Sequence, residues 1–359
     1  MTKILIVGLG PGDLDHMPLG VYRLLKEQKY PVYLRTAQHP VVEELKEEGL
    51  DLTVNSFDQI YEILGEQFEQ VYEAITDALL ALAKEEGEIV YAVPGHPMVA
   101  EKTVQLLLEQ TEVPVEIVGG QSFLDELFVE VNVDPVEGFQ LEDAFELHAD
   151  TLDTGSPLVV MQVFNDFIAA DVKLTLMEKY PDEHQVALVN AAGTKEGTVT
   201  WIPLYELDRM EGVYNLLSLY VPPLERDART RSFDTLQYYM DVLYSEEGDQ
   251  WIQSQSHEML LPYLEEETRE VAEAFEQEDW DNVAEELGDV LLQVMYHSNL
   301  AEREGIFSFE DVLEELNRKI RRRHPHVFDG EKADTIEEIE AIWQRVKAEE
   351  REQKGEEGK

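Results

Sequence analysis

The chain contains no cysteine. Disulfides, thiolate metal sites and a cysteine nucleophile are therefore excluded, and a reducing cytoplasm is the expected compartment. Basic residues are scarce: 28 Lys and Arg stand against 77 Asp and Glu, a formal net charge of −49. A field of that sign repels nucleic acid and anionic membranes, so neither is expected as a partner. The acidity reads mainly as that of a protein kept soluble in a salty cytoplasm, where self-repulsion is screened. No stretch approaches the roughly 18 uninterrupted apolar residues of a membrane span. The apolar segment after Lys3 is short and enters a Gly/Pro turn instead of a small-residue cleavage site, so no signal peptide is expected.

What remains is a globular composition, 43% hydrophobic over 359 residues, which is long enough for about two domains. The first half alternates short β-type runs with helical stretches. ILIVG (4–8), EIVYAVPG (88–95) and VEIVGG (115–120) read as strands. Residues 18–28, 40–48 and 99–110 read as helices, and 58–86 as one long helix or a pair. LVVMQVF (158–164), HQVALVNAAG (184–193) and GTVTWIPLYEL (197–207) continue the β pattern around a helix at about 166–179, giving a second subdomain over roughly 120–210. VPPLERDARTRS (221–232) breaks both periodicities and reads as a linker. Beyond it lies only helical periodicity, interrupted at 246–249, 277–282, 302–308 and 324–330. The expected fold is multidomain. An α/β domain of two subdomains occupies 1–220, a linker 221–235, an all-α helical bundle 236–350, and a disordered tail 351–359.

The helical half places carboxylates where leucines belong. On a helix over 259–278, Leu260, Leu264, Val271, Ala274 and Phe275 form one apolar stripe. Glu267 falls inside that stripe and Glu270 on its edge beside Tyr263. In the next helix Glu286 and Asp289, three apart and so on one face, enter a run from Val290 to Tyr296 that is apolar except for Gln293. Two antiparallel helices with a short loop would bring these four carboxylates together, where they repel unless a cation lies between them. Mg²⁺ accepts such oxygen ligands and keeps water and substrate phosphate in the rest of its shell. In so acidic a chain EExxE alone is weak, and the inward placement of Glu267 is what gives the pattern weight. Arg318, Lys319, Arg321, Arg322 and Arg323 then crowd one segment, as a solvated basic helix end or as a phosphate seat. At the other end of the chain, VGLGPGD (7–13) follows a strand but is not GxGxxG, so it reads equally as a tight turn or a ligand loop.

HEMLLPYLEEETREVAEA, EELGDVLLQVMYHS, KIRRRHPHVFDG and TIEEIEAIWQRVKAEE resemble, in order, the blocks of MazG-family nucleoside triphosphate pyrophosphohydrolases. The resemblance implies hydrolysis of a nucleoside triphosphate to the monophosphate and pyrophosphate with Mg²⁺ or Mn²⁺. It implies Glu267, Glu270, Glu286 and Asp289 as metal ligands, Glu266 as an accessory catalytic carboxylate, and substrate contacts from Trp251, His257, Lys319, Arg322, Arg323, His324 and His326. The entrance block departs from the family: GDQWIQSQSH (248–257) keeps Trp251, Gln255 and His257, but Asp249, Gln250, Ile252 and Gln253 replace its usual Cys, Pro, Asp and basic positions. A homodimer is expected, because family domains pair and the run 290–296 has more apolar surface than one helix covers.

IVGLGPGDLDHMPLGVYRLL, YAVPGHPMVAEKTVQLLLE and VGGQSFLDELF likewise resemble the ordered motifs of tetrapyrrole methylases, two-subdomain enzymes that bind S-adenosylmethionine. Gly10, Pro11, Gly12 and Asp13, then Gly95, His96 and Pro97, then Gly120 and Ser122 match their cofactor loops. His96 stands where Asp is usual, and the third loop lacks its paired serines. QVFNDFIAADVKLTLMEKYP resembles the subgroup in which the two domains are fused, the YabN type. Three readings stay open: a pyrophosphohydrolase with an appended methylase-like domain, a methyltransferase whose helical domain serves assembly, and a non-catalytic nucleotide-binding module.

Overall fold

Four consecutive apolar residues in Lys3–Gly8 (β1) can be buried only if both faces of the strand are covered. In the computed structural model, which describes residues 2–65, 67–209 and 216–357, with side chains to 352, they are. Ile4 and Ile6 pack into one core with Ile75 and Leu79, whereas Leu5 and Val7 pack into another with Val21, Leu25 and Val42. This is the two-residue alternation of a strand between helical layers. β1 lies between Glu88–Val93 (β3) and Val115–Gly119 (β4), and Val32–Leu34 (β2) completes a parallel sheet in the order β2-β3-β1-β4. Its helices are Leu19–Glu27 (α1), Pro40–Glu47 (α2), Asp58–Leu64 (α3), Phe68–Glu86 (α4) and Lys102–Glu109 (α5). The long stretch 58–86 is thus a pair, parted near Gly65. α5 starts at Lys102, three residues later than its periodicity suggests, after Ala100 takes a left-handed φ of 54°.

Phe123–Val131 (α6) leads to a second sheet of mixed sense, β5-β6-β9-β7-β8. Its strands are Gln140–Asp143 (β5), Leu158–Met161 (β6), Gln185–Asn190 (β7), Thr198–Pro203 (β8) and Leu217–Val221 (β9), with Asp166–Met177 (α7) packed on one face. Strands β5 and β9 escaped the sequence reading. β5 is short and half polar, and β9 fell at the edge of the expected linker.

That linker needs correction. Leu224 is buried and its amide donates to the Thr154 carbonyl. Arg229 donates to the carbonyls of Leu224 and Gly155, and Arg231 to that of Glu178. Residues 222–231 are therefore laced onto the α/β unit, which runs Met1–Arg231, and the helical unit is Ser232–Lys359. Buried backbone partners, which composition does not reveal, made the difference.

The helical unit comprises Phe233–Tyr244 (α8), Gln250–Gln253 (α9), His257–Glu276 (α10), Trp280–Arg303 (α11), Phe309–Arg323 (α12), Pro325–Phe328 (α13) and Ile336–Glu357 (α14). The breaks after α8, α10, α11 and α12 fall where interruptions were read; the break at 254–256 was not read, and residues 325–328 within the last interruption form α13. Ser256, Asp279 and Ser308 cap α10, α11 and α12 through side-chain oxygens. The brief turn after Glu276, with Glu278 at φ 57°, makes α10 and α11 antiparallel neighbours. One further expectation is overturned. The tail is helical to Glu357, since Glu, Arg, Gln and Lys are good helix formers even without a core, and residues 358–359 lie outside the described set. The run 290–296 is only partly covered: Met295 and Gln293 are buried, whereas Leu291 is exposed. No helix among the described residues is long and apolar enough to cross a membrane.

Candidate functional site

Antiparallel pairing of α10 and α11 brings the carboxylates together. Oxygens of Glu267, Glu270 and Glu286 all lie within 4.8 Å of one another, on half-buried side chains. Asp289 stands outside that set. Even so, after burial itself, its charge is the strongest influence raising the Glu267 carboxyl, ahead of Glu270 and Glu286. The Glu286 carboxyl is raised likewise, by burial and then by Glu270 and Asp289. Like charges held this close favour protonation or a cation, and an all-oxygen, carboxylate-only donor set fits a hard divalent ion such as Mg²⁺. Glu266 does not join them. It is exposed and pairs with Arg269 at 3.7 Å, so its accessory place in the cluster is not what the structure shows.

The basic run engages acidic side chains instead of standing free. Arg318 pairs with Glu314 and Arg321 with Asp329, each at 2.5 Å. Arg322 and Arg323 both reach Glu350 of α14 at 2.7 Å, and the Arg323 guanidinium also lies over the Trp343 ring. These hydrogen bonds, that of Arg323 first, hold the buried Glu350 carboxyl down at about 2. Lys319 is exposed. His324 donates from Nδ1 to the Ile320 carbonyl, and His326 Nδ1 is buried with no partner. Glu350 was missed by the sequence reading, although its spacing from Trp343, seven residues or two helical turns, puts both on one face of α14.

His257 meets His297 of α11, with Nδ1 atoms 2.8 Å apart and rings nearly parallel. His297 was also missed. It extends the α11 face that carries Glu286, Asp289 and Gln293, and burial followed by His257 lowers its ring. Trp251 is half exposed and meets Tyr263 edge-on.

In the α/β unit, the three Gly-rich loops converge at the ends of the strands. Gly10 and Gly95 exchange backbone hydrogen bonds, each amide donating to the other's carbonyl. A Cβ on Gly8 would lie 2.1 Å from the Gly95 oxygen and 2.8 Å from Gly120 Cα, so glycine is what lets these loops touch. The first loop is braced from α2: His39 accepts from the Val41 amide, capping that helix, and also hydrogen-bonds the Gly10 backbone. Asp13 is buried against His16 at 2.7 Å. Ser122 caps α6 in a reciprocal box with Asp125.

Beside these loops lies a cavity of about 420 Å³. Of the nine matched loop residues, Pro11, Gly95 and His96 line it; Gly10, Gly12, Asp13, Pro97, Gly120 and Ser122 do not. Its apolar wall includes Phe123, Leu127, Met161, Phe164 and Val189. Beside His96, its polar side includes residues the sequence reading missed: Arg35, His39, Tyr72, Glu101 and Gln162. Converging loop backbone and an apolar wall suit a ligand the size of S-adenosylmethionine.

Comparison with known proteins bears on both units. Residues 3–208 match the tetrapyrrole (corrin/porphyrin) methylases, and residues 255–328 match the MazG nucleotide pyrophosphohydrolase domain. The uncharacterised protein YabN of Bacillus subtilis (strain 168) is 44% identical over 349 residues, covering 96% of this chain and 70% of YabN. The nucleoside triphosphate pyrophosphohydrolase/pyrophosphatase MazG of Thermotoga maritima is 44% identical over 119 residues, 33% of this chain and 45% of that one. This chain thus spans under half the length of that relative. Uroporphyrin-III-C-methyltransferase from Thermus thermophilus is similar to 62% of this chain and 94% of its own, at 23% identity and a TM-score of 0.48.

Proposed function

The chain belongs to the tetrapyrrole (corrin/porphyrin) methylase family, with a MazG nucleotide pyrophosphohydrolase domain joined to it as in YabN, and from that premise we propose that its helical unit hydrolyses nucleoside triphosphates to the monophosphate and pyrophosphate. The observation that carries the proposal is the convergence of Glu267, Glu270 and Glu286, with Asp289 acting on them, on facing helices. Those four residues would hold Mg²⁺ or Mn²⁺, which when bound supplies an activated water and charge neutralisation for the leaving pyrophosphate. The chain's own contribution is to fix the ligand oxygens on two capped helices. Beyond them, Lys319 and the outer donors of Arg322 and Arg323 receive the triphosphate, with Trp251 and His257 near the base. A homodimer through the helical unit would cover Leu287 and Leu291, which one copy leaves exposed. The setting proposed is cytoplasmic, without nucleic acid or membrane.

The α/β unit binds S-adenosylmethionine in its cavity on this reading. Pyrophosphate release from a panel of nucleoside triphosphates, with and without Mg²⁺, tests the first half. Turnover retained by Glu267→Gln at the wild-type rate would refute the ligand assignment. Calorimetry with S-adenosylmethionine tests the second, and no heat at millimolar cofactor would refute it.

A further inference from the structure

The cavity of the α/β unit holds a buried ion pair that neither the loops nor the hydrolase uses. Arg35 follows β2 and Glu101 precedes α5, and their side chains meet at 2.8 Å. Glu101 is only 6% exposed. Burial raises its carboxyl and Arg35 opposes that. The guanidinium, itself desolvated, is held above its ordinary range by Glu101 and by Tyr61, to whose hydroxyl Arg35 Nε donates.

Arg35 is the sole Arg or Lys among the described residues that line the cavity. Burial pushes the lining His39 down to about 4, so that ring adds no charge at neutral pH. A polycarboxylate entering here would lose its hydration and find its one guanidinium already neutralised. The surrounding field of −49 adds to the penalty.

We infer that Glu101 is a specificity-determining residue for the methyl acceptor: by neutralising Arg35 it closes the acceptor's part of the cavity to polycarboxylates and leaves it, beside the cofactor, to a neutral, mostly apolar molecule. The apolar wall meets the body of such a molecule. The Arg35–Glu101 pair offers donor and acceptor side by side, complementing a neutral group that carries both, as a lactam or a nucleobase edge does. The inference deepens the reading of the cavity as a methylase cleft by excluding a polycarboxylate tetrapyrrole as its acceptor.

Two fluorescent probes test it on the full chain: uroporphyrin, a polycarboxylate macrocycle, and 2-quinolone, a neutral lactam. Wild type is expected to bind 2-quinolone and to ignore uroporphyrin. Glu101→Gln, which keeps the shape but frees the Arg35 charge, gains about tenfold or more in uroporphyrin affinity. The double variant Arg35→Met, Glu101→Met replaces the pair by apolar side chains of similar volume, a change proteins tolerate. It loses that gain and weakens 2-quinolone. Wild type binding uroporphyrin as tightly as Glu101→Gln overturns the inference, as does 2-quinolone binding equally to wild type and double variant. S-adenosylmethionine calorimetry on the same proteins keeps the two readings apart. Absent cofactor heat with intact probe discrimination would sink the methylase reading alone.

Discussion

The two units treat buried acid in opposite ways. In the α/β unit Glu101 enters the interior with Arg35 already against it, so the charge is neutralised within the fold. In the helical unit Glu267, Glu270 and Glu286 are crowded together half-buried, and the charges that act most on Glu267 are those of other carboxylates. A fold can keep the first arrangement unaided. The second favours protonation or a cation supplied from outside, and that need is what suits it to the proposed metal site.

The contrast breaks most sharply if Glu267→Gln leaves hydrolysis intact. The expected effect is a fall in pyrophosphate release of about a thousandfold or more, with no change in S-adenosylmethionine binding. Next in size is Gly8→Ala, whose methyl would run into the Gly95 carbonyl at 2.1 Å. It should destabilise the α/β unit by about 3 kcal/mol and abolish cofactor binding, as read by denaturant melts and calorimetry, while hydrolysis persists. Smaller again is Glu350→Gln. Removing the acid that Arg322 and Arg323 share should cost about 1–2 kcal/mol, below a fully buried pair because Arg322 is partly exposed. It should raise KM for the triphosphate severalfold with little change in kcat. Because the folded Glu350 carboxyl lies at about 2, below its unfolded value, its stabilisation is present above the ordinary carboxylate range. It is lost as pH falls through that range toward 2, and the variant should not show the loss.

The smallest effect is a pH drift of opposite sign. The Glu267 and Glu286 carboxyls are raised in the folded state, so the folded chain holds protons that the unfolded chain has released. Stability should therefore fall as pH rises above the ordinary carboxylate range, and added Mg²⁺ should flatten the slope. Thermal melts across pH with and without the metal decide it. A slope that Mg²⁺ leaves untouched would remove the cation from the account.

Much of this was legible in the sequence, for identifiable reasons. Periodicity placed Glu267 on the apolar stripe of α10, and the i,i+3 spacing of Glu286 and Asp289 put both on one face of α11. The Gly-rich loops were read as turns or ligand loops, and the close backbone approach that requires glycine at Gly8 appeared only in the structure. What stayed hidden was partnership across distance. Nothing local to Arg35 says that residue 101 will face it, and nothing in the run 318–323 says that two of its arginines will close on Glu350. Glu266 was misplaced for the converse reason, since neighbours in sequence point to different sides of a helix and Arg269 drew it outward. The linker was read from prolines and charges, but Leu224 and Arg229 found partners in Thr154 and Gly155, in the turn before β6.

The aromatic ring that shares Arg323 with Glu350 has a practical consequence. Trp201, Trp251 and Trp280 are 47%, 51% and 65% exposed, whereas Trp343 is more covered, with Arg323 and Lys347 positioned over its ring at 5.3 and 4.7 Å. Its emission is accordingly set apart from theirs in colour and in quenching. Titrating nucleotide while watching that component gives an optical gauge, built into the chain, of whether α12 and α14 loosen when phosphate arrives.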